Sequence, residues 1–247
     1  MKNLFLCNDQ VGLDIFNWLI DLYRDDIGLV VTIRGSRIEQ AAEESGVTCL
    51  SVASQQQLLN TLCESNQIYD WGFLVWWPWI LDSQFFRLSR HGFINTHPSL
   101  LPYNRGKHYN FWALVEQVPF GVSLHFVDEG IDCGDIVAQR RIHYGWEDNG
   151  ATLYEAATRE MVELFKEVYP LIGQGSFSRT SQDLSKGSFH RSSDMEDASR
   201  IDLDAHYTAR HLFNLLRART FPGHPACWFQ EDGHVYEVRV EIRRRHP

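Results

Sequence analysis

Asn95, His97 and Asp132 are the residues of this 247-residue chain whose types and spacing can do chemistry. They lie in GFINTHPSLLPYNRGKHYNFWALVEQVPFGVSLHFVDEGIDCGD, residues 92–135. Asn95 and His97 are two apart in an apolar run that reads as a strand, so side-chain alternation sends both to one face. Pro98 has no N–H to give to a ladder and ends that strand. An amide and an imidazole are thus presented together at a strand's C-terminal edge, where open parallel sheets bind ligands. Asp132 follows a second alternating strand, on a loop that Gly130 and Gly134 allow to bend sharply. If the two strands are neighbours, its carboxylate approaches His97 and favours the imidazolium. Amide and imidazole would then stabilise negative charge developing on a tetrahedral intermediate. Asp132 or an ordered water would take the proton released by an attacking amine. His108 and His125 are rival histidines, read as structural or substrate-contacting.

The elements that must position these groups follow from periodicity. Asn3 to Cys7 and Ile27 to Ile33 are continuous apolar runs, as in strands covered on both faces. Between them, Ile15, Phe16, Leu19, Ile20 and Tyr23 recur at helical spacing from Val11 to Arg24. Ile38 to Ser45 reads as a helix closed by Gly46. Then come a strand over 48–52, a helix over 55–65 and a strand over 71–77. Such alternation implies an α/β fold with a Rossmann-like, mostly parallel sheet. Further strands are expected at 92–96, 122–127 and 136–142, with helices at 107–117 and 151–172. Residues 173–199 turn to Ser, Gly and charge and read as an irregular connector. A helix over 205–218 follows. The alternating stretch 227–242 around Asp232-Gly233 reads as a β-hairpin, because that dipeptide accepts positive φ. The organisation predicted is a catalytic core over 1–172, a connector over 173–200 and a small C-terminal helix plus β-hairpin over 201–247.

Composition narrows the function. Apolar residues make up 44% and charged residues 22%, enough to build an ordinary core. The formal charge of −9 argues against nucleic acid as a partner, although two or three cations would still serve a compact anionic ligand. The Arg243-Arg244-Arg245 cluster reads as a solvated tail. Cysteines 7, 49, 63, 133 and 227 form no CxxC pair, so neither a zinc cage nor a disulfide framework is expected, and the metal expectation is none. The N-terminus MKNLFLCNDQ does not read as a signal peptide, and no apolar run approaches the roughly 20 residues that cross a bilayer. The expectation is a cytoplasmic protein without a membrane partner.

The string INTHPSLLPYNRG, followed by HFVDEGIDCGDIVAQ, resembles the folate-dependent formyltransferase family. That resemblance implies 10-formyltetrahydrofolate as the donor and places the family's catalytic Asn, His and Asp on Asn95, His97 and Asp132. It implies a pterin cleft between Trp76-Trp77-Pro78-Trp79-Ile80-Leu81 and Asp128-Glu129-Gly130-Ile131, so Trp79, Leu81, Glu129 and Gly130 are the expected folate contacts. The three tryptophans would offer a flat apolar wall. The turn Cys7-Asn8-Asp9-Gln10 lacks the glycines of a phosphate loop or a dinucleotide site. PYNRGKHYNFWA and RARTFPGHPACWF look most like the sugar N-formyltransferases. The implied acceptor is a nucleotide-linked amino sugar, with dTDP-4-amino-4,6-dideoxyglucose favoured over a 3-amino isomer, in surface polysaccharide (O-antigen) synthesis. Asn104, Arg105 and Lys107 are the expected contacts to that substrate, Arg and Lys holding its diphosphate. Phe189, His190 and Arg191 are further nucleotide candidates. A homodimer, usual for such enzymes, would cover the hairpin's open edge. The rivals are a formyl-folate hydrolase, or another formyltransferase, and a non-catalytic nucleotide- or folate-binding module.

Overall fold

The structure, a computed structural model, describes residues 1–65 and 67–245. Cys7 and Cys227 are buried and Cys49 and Cys133 half-buried, while the Cys63 side chain lies outside the described residues.

The first half alternates strand and helix. In order come β1 (Asn3–Cys7), α1 (Asp9–Tyr23), β2 (Ile27–Ile33), α2 (Arg37–Ser45), β3 (Cys49–Val52), α3 (Gln55–Glu64), β4 (Gly72–Val75) and β5 (Phe93–His97). Then follow β6 (Arg105–Gly106), α4 (Tyr109–Glu116), β7 (Phe120–Phe126), β8 (Ile136–Ile142) and α5 (Gly150–Gly173). The last part holds β9 (Phe189–His190), α6 (Asp194–Ala198), α7 (Ala209–Ala218), β10 (Cys227–Glu231) and β11 (His234–Val238). Seven strands form one sheet in the order β3-β2-β1-β4-β5-β7-β8. The pairs from β3 to β5 are parallel, and β5 pairs with β7 antiparallel. This is the mostly parallel α/β sheet that the sequence predicts. No helix of the described residues is long and apolar enough to cross a membrane.

Local sequence sets the helix ends. The Ser36 hydroxyl accepts from the Glu39 N–H and starts α2, and Gly46 at φ 66° closes it. Ser54 does the same for α3 through the Gln57 N–H. Three of the boundaries that differ from the periodicity fall where the backbone leaves the regular conformation. β4 stops at Val75 because Trp76 takes φ 53°, and α4 begins after His108 at φ 59°. α7 begins at Ala209 because Thr208 caps it, accepting from the His211 N–H.

The chain divides into two compact units. The first holds Met1–His97, Ser123–Gln139 and Met161–Gln182. Strand alternation sorts its core onto two faces. Leu4, Leu6 and Leu74 join Val31, Leu58, Phe85 and Phe93 in one apolar cluster. Phe5 and Phe73 take the other face, stacked at 5.1 Å and packed against Tyr169 and Phe165 of α5. Asn3, fully buried at the start of β1, is satisfied there by the Tyr169 hydroxyl and the Trp71 N–H.

The second unit holds Pro98–Val122, Arg140–Glu160 and Asp183–Pro247. The Tyr144 hydroxyl bridges the carbonyls of Ala113 and Val118 at the end of α4. Arg217 of α7 bonds Asn214 and the Gly145 and Asp148 carbonyls. The segment 173–199 contains short regular pieces. β9 pairs in parallel with β6, Arg105 opposite Phe189 and Gly106 opposite His190, and α6 follows. The Asp232-Gly233 turn joins β10 and β11 with φ of 48° and 78°, the left-handed pair that a two-residue hairpin requires.

Candidate active site

Asn95 and His97 stand on β5 with one residue between them, so they share a face. In the antiparallel register Asn95 lies opposite His125 and His97 opposite Ser123, which brings two β7 side chains to the same face. The residue between them, Thr96, points the other way. Its hydroxyl donates to the Leu74 carbonyl and accepts the Trp76 N–H, tying β5 to the turn after β4.

The loop between β7 and β8 folds Asp132 over that face. Asp132 takes φ 53°, an uncommon conformation for a residue with a side chain. Gly134 makes the turn possible, since a Cβ there would collide with the Phe126 carbonyl oxygen. Asp132 Oδ2 lies 3.4 Å from His97 Nδ1, and Oδ1 lies 3.5 Å from His125 Nε2. Asn95 Nδ2 is 3.2 Å from His125 Nε2 and 3.5 Å from Asp132 Oδ1. The three side chains are 6% (His97), 2% (His125) and 13% (Asp132) exposed, so their interactions are little screened by solvent.

The hydrogen-bond partners fix the His125 tautomer. Its Nδ1 sits 2.8 Å from the Phe126 carbonyl, which can only accept, so Nδ1 carries the proton. The other ring nitrogen, Nε2, lies within reach of both the Asn95 amide and the Asp132 carboxylate. His125, read from the sequence as structural or substrate-contacting, therefore joins the cluster as the group that orients the Asn95 amide. The signal was available in the sequence: the alternation from Val122 to Val127 puts His125 on one face of a strand, but only the register with β5 says which face.

The structure brings Asn95, His97 and Asp132 together, and it places the other predicted residues as follows. Trp79 packs edge-to-face on Trp77 at 5.2 Å, and both rest on the apolar cluster. Leu81 is a buried member of that cluster. Glu129 and Gly130 are exposed on the Asp132 loop, with the Gly130 N–H bonded to Asp128 Oδ1.

Asn104, Arg105 and Lys107 lie in the second unit, where Lys107 is exposed and Arg105 half-buried. Asn104 is fully buried, and its Nδ2 donates to Glu116 Oε2 at 2.9 Å. The same carboxylate accepts from Ser188 at 2.7 Å and pairs with His190 Nε2 at 2.8 Å, while the Trp112 ring stacks on His190 at 3.8 Å. The Asn104 amide and the His190 ring thus knit β6 and β9 to α4. His108 is half-buried. Burial holds its imidazole below the usual value, opposed by a bond to the Ser192 backbone.

Residues 38–169 match the formyl transferase family, over more than half of the chain. The chain belongs to that family. Residues 194–244 also match the N-formyltransferase dimerization C-terminal domain. Among curated relatives, the dTDP-4-amino-4,6-dideoxyglucose formyltransferase of Mycobacterium tuberculosis is 30% identical over 155 residues, 62% of this chain and 66% of that one. The match thus spans just under two thirds of that relative's length. Among solved structures, a 4-N formyltransferase from Francisella tularensis superposes with a TM-score of 0.83 at 26% identity, covering 99% of each chain. A formyltransferase from Anoxybacillus kamchatkensis, solved with UDP-4,6-dideoxy-4-formamido-L-AltNAc and tetrahydrofolate, gives 0.58 at 27% identity, covering 80% of this chain and 89% of that one.

Proposed function

We propose that this formyl transferase moves the formyl group of 10-formyltetrahydrofolate onto the amine of a nucleotide-linked amino sugar, dTDP-4-amino-4,6-dideoxyglucose being the favoured acceptor. The observation that supports this most directly is the convergence of an amide, two imidazoles and a carboxylate on one buried face. The names of the Mycobacterium tuberculosis and Francisella tularensis relatives support the choice of a 4-amino sugar. The tetrahydrofolate bound to the Anoxybacillus kamchatkensis relative supports folate as the carrier.

The chemistry is direct acyl transfer. The amine lone pair attacks the formyl carbon, a C–N bond forms and the carbonyl electrons move to oxygen. The Asn95 amide turns a donor from Asp132 Oδ1, its longest contact in the cluster, to that oxygen, and His97 provides the second stabilising group. Collapse breaks the bond from carbon to N10, which keeps the electron pair. The nitrogen becomes an ammonium in the tetrahedral adduct, and the proton it loses passes through Asp132, His97 or an ordered water and ends on N10. The products are a formamido sugar and tetrahydrofolate. Folate is held against Trp79 and Leu81 on one side and Glu129 and Gly130 on the other. Two copies associate through the C-terminal hairpin.

The test is to mix the protein with 10-formyltetrahydrofolate and dTDP-4-amino-4,6-dideoxyglucose and follow folate absorbance together with the mass of the sugar. Formamido sugar at the rate of folate release is the expected result. Folate release without a formylated sugar, on this and on related 3-amino sugars, would reject the acceptor.

A further inference from the structure

The chain that follows α5 returns as a strap behind the Asp132 loop. Thr180 exchanges backbone hydrogen bonds with Ile136 at 2.9 and 2.8 Å. The Arg179 guanidinium lies over the Phe126 ring at 3.7 Å and pairs with Asp135 at 3.4 Å. Ser181 Oγ donates to Asp135 Oδ1 at 3.0 Å. At the end of the strap Gln182 turns its amide inward. Its Nε2 donates to the Asp132 carbonyl at 3.0 Å and to the Gly134 carbonyl at 2.7 Å.

The orientation of this amide is set by its partners, since the reverse one would aim an acceptor at two acceptors. Both N–H groups are thereby used on the loop, and Gln182 Oε1 is left buried with no hydrogen-bond partner. An unmet buried acceptor destabilises a fold and calls for an explanation. The loop supplies one. Asp132 sits in the left-handed region, which a side chain disfavours, between Gly130 and Gly134, which allow many other conformations. A tie from outside the loop therefore helps to keep the carboxylate at His97 and His125.

We propose that Gln182 is a positioning residue for formyl transfer: by clamping the carbonyls of Asp132 and Gly134 it holds the Asp132 carboxylate against His97 and His125. The proposal rests on the role given above to Asp132. Gln182 touches no reacting atom, and its loss acts through the carboxylate. Misplacing that group slows proton removal while substrate binding persists.

The experiment compares Gln182→Met, of similar length without donors, with Gln182→Asn, Ser181→Ala and Asp132→Asn. Rates are normalised to folded protein, and pH profiles of kcat are measured at saturating substrates. Gln182→Met should lower kcat about tenfold or more, a change that corresponds to about 1.4 kcal/mol of barrier. KM for either substrate should stay within about twofold, and the pH of half-maximal kcat should move. Gln182→Asn keeps the donors on a shorter arm and should recover part of the rate. Ser181→Ala disturbs the strap but not the clamp and should keep the parent kcat and pH profile. Gln182→Met with parental kcat and pH profile, beside an inactive Asp132→Asn, overturns the clamp alone. Asp132→Asn at the parental rate overturns the role of Asp132 and the clamp with it.

Discussion

Asp132 Oδ2 stands 3.4 Å from His97 Nδ1, two groups that reach one face from separate turns of the chain. The antiparallel pairing of β5 with β7 makes this possible by setting Asn95 and His97 beside His125 and Ser123. A carboxylate at that distance fixes the orientation of the ring, which suits His97 to meet an oxyanion. Replacing His97 by Asn keeps a donor but removes the imidazole. It should cost about 10²–10³ in kcat, with little change in the folate KM, as read from initial rates. Near-parental turnover would take His97 out of the chemistry.

His125 meets the Asn95 amide at Nε2 and donates from Nδ1 to the Phe126 carbonyl. His125→Phe would leave both the Phe126 carbonyl and an Asn95 N–H unmet in a buried place. The expected loss is about tenfold or more in kcat, from about 1–3 kcal/mol of lost satisfaction. His125→Gln offers an acceptor again and should recover part of it. Equal rates in the two variants would contradict the orienting role.

Most of this arrangement is legible in the sequence, and what is missing has a physical cause. Strand and helix alternation is local, so β1 to β5 follow from periodicity. The pairing of β5 with β7 is a long-range choice that no local pattern states, and it alone decides that His125 faces Asn95. β6 and β9 are two residues each, too short to show alternation, and are held by Glu116 and its partners from α4 and the following loops. Trp76 and His108 look like strand and helix by type, and only the backbone shows them in the left-handed region. Gln182 sits in a polar stretch whose role is visible only through the carbonyls it reaches.

His108 gives the fold a pH dependence whose sign is fixed. Its ordinary value is 6.5, and burial lowers it in the folded chain. Between the lowered value and 6.5 the unfolded chain binds more protons than the folded one, so stability rises with pH across that window. The stability is present in full above the unfolded value, falls as pH drops through it, and levels off at the folded value. His108→Asn tolerates the positive φ and does not titrate. Urea midpoints of the two proteins between about pH 5 and 8 should diverge as pH falls, the variant losing less. Parallel curves would show that His108 titrates alike in both states.

The hairpin should carry the association of two copies. Val235 is 63% and Tyr236 46% exposed on β11, with the Tyr236 ring stacked on Phe229 at 5.2 Å. Such apolar exposure beside an open strand edge is covered in stable proteins. Val235→Lys with Tyr236→Glu should convert a dimer to a monomer in sedimentation at micromolar concentration. A parent protein that sediments as a monomer would contradict the assignment.

The Asp132 carboxylate should serve the formyl transfer step itself. The direct measurement is the single-turnover rate of formyl transfer by Asp132→Asn at saturating folate and amino sugar, beside the parent. The amide keeps the shape but accepts a proton poorly, so the rate should fall by about 10²–10⁴ while both ligands still bind. A rate within about threefold of the parent would take Asp132 out of the transfer step.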